Sequence, residues 1–150
     1  GGGSAGGHIC VLAALNADGL DDPADPPGID TSVRAFLLFN PAFVAPGRDR
    51  DAEVDVYEHL DGKLPPFLFM FGTEDGWKPA SDKLFETLKT RQASARYVLA
   101  PDENHSFWIR DPWYDLCLAE CDALLVSLGL LEGPAPEPPA AGDKRFTEVK

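Results

Sequence analysis

Three short apolar runs mark the chain: AFLLF at residues 35–39, FLFMF at 67–71 and RYVLA at 96–100. Each is about one strand long and is bounded by Pro, Gly or Asn. Apolar side chains at consecutive positions suit strands buried on both faces, as in a parallel sheet. The intervening segments change period. Leu84, Phe85 and Leu88 share one helical face in a segment that opens at Pro79 and runs to about Gln92. Tyr114, Cys117, Leu118, Cys121, Leu124, Leu125 and Leu128 repeat at helical spacing between about Pro112 and Leu128. A further helix is expected over HICVLAAL, residues 8–15. Helix, strand, helix, strand, helix is the alternation of an α/β fold with parallel strands, whose functional residues sit at the carboxyl ends of the strands.

The remaining segments are polar. Residues 16–30 are rich in Asp, Pro and Gly and read as a surface loop. Asp18, Asp21, Asp22 and Asp25 lack the alternate-position carboxylates and distal glutamate of a calcium loop, so a solvated acidic loop is expected. Residues 42–66 are mixed and charged. Val54, Tyr57 and Leu60 mark a short helix there, expected outside the sheet near the rim of a cleft. Beyond Gly133 the PAPEPPAAGD stretch predicts a disordered tail, which divides the chain into a domain at 1–132 and a tail at 133–150.

Composition narrows the function. With 150 residues and 44% hydrophobic positions, the chain can bury a core of its own. A net charge of −12 repels nucleic acid and anionic membrane surfaces, and no apolar run approaches the length of a membrane span. Compartment and oligomeric state stay open. Cys10, Cys117 and Cys121 supply no disulfide framework, and no histidine or further cysteine completes a zinc site, so buried thiols are expected. No metal or cofactor is called for.

The first seven residues, GGGSAGG, carry the chemistry. Alone they also fit a flexible linker. Read as G-x-S-x-G, they form a sharp strand-to-helix turn that lifts the Ser4 hydroxyl out of the fold. Side chains at Gly2 or Gly6 are expected to collide across such a turn. A serine hydroxyl needs a base, and the base needs an orienting acid. Of the three histidines, His105 follows the third strand, whereas His8 lies in the first helix and should point away from Ser4. His59 sits in the charged middle segment. Glu74 and Asp75 both turn off the second buried strand and either could orient the imidazole. Asp75, further round the turn and before Gly76, is the better placed. Serine, acid, histidine is the chain order of the α/β-hydrolases.

With these motifs in order, residues 1–133 resemble the C-terminal half of an α/β-hydrolase esterase. GGSAGGH resembles the elbow of the hormone-sensitive-lipase-like and feruloyl or acetyl esterase groups. FLLFNPAF resembles their sixth strand and PPFLFMFGTEDGWKP the strand and loop of the acid. Asn104-His105-Ser106-Phe107 resembles the histidine loop, and DALLVSLGLLEG the closing helix. The resemblance implies Ser4 as nucleophile, Asp75 as acid, His105 as base and the Ala5 N–H as one oxyanion donor. Where many relatives have Gly, this chain has Asn104, which tolerates a left-handed backbone.

The implied function is a serine carboxylester hydrolase for small acyl esters, including acetyl esters of polysaccharide, with no cofactor. A peptidase related to prolyl oligopeptidase is the alternative on the same fold, although Ala5 after the serine argues against it. A non-catalytic hydrolase-like binding module is the other. The resemblance also implies a second oxyanion donor and further strands upstream. On that reading the chain is a fragment, with the strand before Ser4 missing and the 35–39 edge open, and the isolated chain is expected to be inactive and prone to self-association.

Overall fold

In the computed structural model, residues 1–16, 22, 24–26, 28–44 and 52–150 are described. The acidic residues Asp18 and Asp21 and the charged stretch 48–51 lie outside them. The sheet runs β1 (Gly2–Gly3), β2 (Phe36–Phe39), β3 (Phe67–Gly72), β4 (Ala95–Ala100) and β5 (Thr147–Glu148), in that spatial order. The first four strands are parallel, and β5 closes the β4 edge antiparallel. The helices are α1 (Ala5–Leu15), α2 (Lys78–Thr90) and α3 (Trp113–Ser127).

Alternation along β3 explains the two layers. Phe67, Phe69 and Phe71 face one side and pack with Val11 and Leu12 of α1 and with Leu84, Phe85 and Leu88 of α2. Leu68 and Met70 face the other side and pack with Trp113, Leu116, Cys117 and Cys121 of α3. Every residue of β3 is buried, as expected for a central parallel strand covered twice. On the first side the rings interlock, with Phe36 4.6 Å from Phe67 and Phe85 5.3 Å from Tyr97.

Three expectations change here. A strand does precede Ser4, short as it is: Gly2 pairs with Leu38 and Gly3 with Phe39, so β2 is flanked at its carboxyl end. The middle segment forms two 3-10 turns, Ala52–Val54 and Val56–His59, rather than one helix. It is not merely a rim, because Val56 and Leu60 are buried in the first core. The region after Gly133 also differs from a disordered tail. Residues 134–140 have no regular structure, yet Phe146 packs against Phe107 and Trp113, and Thr147 and Glu148 join the sheet. An aromatic residue, two ladder positions and the Lys144–Glu103 ion pair dock a segment whose composition is otherwise that of a linker.

Candidate active site

Ser4 lies between β1 and α1 with φ 52 and ψ −126, a backbone region costly for a residue with a side chain. Its surroundings hold it there. Its N–H donates to the Phe39 carbonyl at 2.9 Å, and its own carbonyl accepts from the N–H groups of Gly7 at 3.0 Å and Ala42 at 2.9 Å. A Cβ on Gly2 would lie 2.5 Å from the Gly6 carbonyl, and one on Gly3 would lie 2.4 Å from the Trp108 ring. A Cβ on Gly7 would meet Pro41 at 2.8 Å. Gly6, expected to be as constrained as Gly2, has open space where its side chain would go. The tight packing therefore falls on Gly2, Gly3 and Gly7, and on Gly1, whose Cβ would lie 2.6 Å from the Leu37 carbonyl oxygen. Ser4 begins the helix without capping it through its side chain, which leaves the hydroxyl for another partner.

That partner is His105. Its Nε2 lies 2.8 Å from Ser4 Oγ, and its Nδ1 lies 2.9 Å from Asp75 Oδ2. An ionised carboxylate only accepts, so the Nδ1 proton donates to Asp75 and Nε2 accepts from the Ser4 hydroxyl. The His105 side chain is about a third exposed, whereas that of Asp75 is wholly buried. Asp75 takes two further donors: Asn40 Nδ2 on Oδ2, and the Trp77 N–H on Oδ1 at 2.9 Å. The Trp77 contact is an Asx-turn, formed two residues on just as α2 begins. Glu74 points outward and meets the Thr73 hydroxyl at 3.4 Å, so Asp75 is the acid in contact with the imidazole.

The remaining site residues divide. Ala5 is the first residue of α1, where backbone N–H groups have no partner within the helix and the dipole favours negative charge. His8 turns away from Ser4, with its Nε2 3.0 Å from the Val54 carbonyl and its ring against Phe43. In the histidine loop positive φ falls on Asp102 and Ser106, and not on Asn104. Cys117 and Cys121 are buried and Cys10 is only half-buried. Burial pushes the Cys121 thiol up to about 12, with Asp122 and Glu120 adding to it. Such a thiol is a poor nucleophile or ligand at neutral pH. Among the described residues no group of three or more His, Cys, Asp or Glu is placed to hold a metal, and no helix is long and apolar enough to cross a membrane.

Two contacts escaped the sequence. Asn40, in the left-handed region at φ 47 and fully buried, read only as the end of a strand before Pro41. Trp108, on which no sequence signal falls, fills with its ring the space that Gly3 leaves open.

No protein-family model and no curated protein matches the chain. Solved structures do. Esterase 2 of Thermogutta terrifontis phosphorylated by paraoxon is 27% identical, with a TM-score of 0.76 over 89% of this chain. The same Planctomycetes species' thermophilic esterase with propionate bound is 27% identical, with a TM-score of 0.75 over 89% of the chain. The chain has the architecture of part of an α/β-hydrolase fold. It spans 54% and 56% of the length of those two esterases, and 55% of the tabun-phosphoramylated form, which it matches with a TM-score of 0.78. In an α/β-hydrolase sheet the carboxyl ends of the parallel strands form the reactive edge. Ser4, Asp75 and His105 all follow such ends here.

Proposed function

We propose that this chain supplies the nucleophile, base and acid of a serine carboxylester hydrolase acting on small acyl esters. The observation that carries the reading is the continuous hydrogen-bonded path Ser4–His105–Asp75, at 2.8 and 2.9 Å. Ser4 Oγ attacks the ester carbonyl carbon while its proton passes to His105 Nε2. Asp75 holds the imidazole in the productive tautomer and stabilises the imidazolium. The Ala5 N–H donates to the oxyanion of the tetrahedral intermediate. Collapse expels the alcohol, which takes the proton from Nε2 and leaves an acyl group on Ser4. Water then attacks that acyl group, with His105 as base, and the carboxylic acid departs.

The neighbouring esterases support short acyl chains, since they are described with propionate or butyrate bound. Acetyl esters, including those of polysaccharides, belong to the same range. The protein that carries this chain is the material for the test. It is expected to hydrolyse p-nitrophenyl acetate, propionate and butyrate faster than long-chain esters, and to take up a diethylphosphoryl group from paraoxon on Ser4. Ser4→Ala should abolish both, because among the described residues the hydroxyl bonded to His105 Nε2 is that of Ser4. Hydrolysis that persists undiminished in Ser4→Ala would remove Ser4 from the mechanism.

A further inference from the structure

Glu103 stands two residues before His105 and has no place in the path just described, yet its contacts converge on that path. Its carbonyl accepts the Glu74 N–H at 2.9 Å, which ties the histidine loop to the acid loop. Gly72 permits that approach, for a Cβ there would lie 2.1 Å from the same carbonyl. The carboxylate is largely buried and gathers three donors: Trp113 Nε1 at 2.6 Å, Lys144 Nζ at 3.0 Å and an Arg110 guanidinium nitrogen at 3.1 Å. Burial pushes this carboxyl up, but the hydrogen bonds from Lys144 and Trp113 and the charges of Lys144 and Arg110 outweigh it and hold it below its ordinary value.

Lys144 brings the C-terminal segment into the same place. Its ammonium lies 5.5 Å from the centre of the Trp113 ring. Two residues on, Phe146 packs on Trp113 at 5.1 Å and on Phe107 at 6.1 Å. Phe107 stands two residues after His105. The segment is itself anchored by β5 on β4, where Leu99 pairs with Thr147 and Val98 with Glu148. Both shoulders of His105 are thus gripped by residues 144–146, one through an ion pair and one through an aromatic contact.

We propose that Glu103 is a positioning residue for His105, and that the C-terminal segment acts through it and through Phe107 to keep the imidazole in line with Ser4 and Asp75. This rests on the esterase reading above. An exposed ion pair alone would do little. A partly exposed carboxylate with three donors, bonded through its own backbone to the acid loop, can fix a loop to the tolerance that a proton relay needs, since small misplacements are costly there.

The test uses the protein that carries this chain, with Glu103→Gln, Lys144→Met and Phe146→Ala. Glu103→Gln keeps an acceptor for Trp113 and removes the charge facing Lys144 and Arg110. In each variant kcat for p-nitrophenyl acetate should fall about 10-fold with KM within about 2-fold, the pattern of a displaced catalytic group. The His105 Nδ1–H proton resonance should broaden in the folded variants, and Glu103→Asp should recover part of both losses. If Tm falls while kcat and that resonance keep their wild-type values, Glu103 only stabilises the fold and the inference is wrong. An unchanged resonance in Phe146→Ala and Lys144→Met would sever the C-terminal segment from His105. The resonance does not depend on ester turnover, so a wild-type protein without esterase activity would defeat the functional reading while the comparison of spectra still decides the positioning.

Discussion

Replacing Asp75 by Asn changes one atom and should leave the fold standing while disabling the base. The wild-type carboxylate uses Oδ1 for the Trp77 N–H and Oδ2 for both His105 Nδ1 and Asn40 Nδ2. An amide must place its NH2 on one side or the other. Toward Trp77, two donors would face each other, and the part-buried N–H would lose its acceptor at a cost of about 1 kcal/mol. Toward His105 the conflict has an outlet. Asn40 Oδ1 is buried without a partner, so the Asn40 amide can turn over and accept from the new NH2. The second arrangement is the cheaper one, and it is the damaging one. It presents a donor to Nδ1, drives the imidazole proton to Nε2 and aims it at Ser4 Oγ. Loss of the correct tautomer in a serine triad costs about 10⁴ in kcat. That corresponds to about 5 kcal/mol of transition-state stabilisation. Steady-state kinetics on p-nitrophenyl acetate measure the loss, ¹⁵N spectra of His105 report the tautomer, and thermal melts should show little change. An Asp75→Asn protein within tenfold of wild-type kcat would refute the reasoning. A larger loss in Glu74→Gln than in Asp75→Asn would move the acid to Glu74.

Three further outcomes follow from contacts around the site. Gly2→Ala should lower Tm and cut kcat by more than about 10², because its Cβ meets the Gly6 backbone at 2.5 Å and the turn under Ser4 must open. Gly6→Ala, in open space inside α1, should instead raise stability by roughly 0.5–1 kcal/mol; a matching loss in both would show that the turn is read wrongly. Glu103 has its carboxyl held below its ordinary value of 4.5, so its stabilisation is full above that value and fades as the pH falls through the lowered one. The Tm gap between wild type and Glu103→Gln should therefore be wide at pH 7 and close below pH 4.5, and a gap independent of pH would contradict the ionic contact.

Much of the site was legible because its chemistry sits on punctuated positions. Asp75 and His105 each follow a turn signal at the end of an apolar run, Ser4 sits within a glycine-rich turn, and the runs themselves declared a doubly covered sheet. What the sequence hid depends on contacts between segments far apart in the chain. Asn40 read as a strand terminator, and nothing local says that its amide reaches a carboxylate 35 residues on. Gly2 and Gly6 are symmetrical in the motif, yet only Gly2 faces backbone, because the helix carries Gly6 outward. The docking of residues 146–149 was masked by the prolines before it. Linker composition describes the stretch that carries it and says nothing about where a later Phe146 can anchor.

The three proposed catalytic groups meet because the strand ends are stitched in sequence. The N–H of Ser4 donates to Phe39, that of Asn40 to Met70 and that of Thr73 to Ala100, at 2.9, 2.9 and 3.0 Å. Each residue just past one strand is thereby bonded to the last turn of backbone on the next. This row runs across the carboxyl edge of the sheet and delivers Ser4, then Asn40, then the loop of Asp75, then the loop of His105. Two members, Ser4 and Asn40, stand at positive φ; asparagine tolerates that region, whereas Ser4, with ψ −126, carries a strain of roughly 1–3 kcal/mol. Local interactions would relax both. They persist because the strands beneath are packed by Phe36, Phe67 and Phe69, and truncating one such buried ring costs roughly 3–5 kcal/mol. The aromatic core and the reactive edge are therefore one device, in which burial below holds the backbone above in a conformation that only chemistry needs.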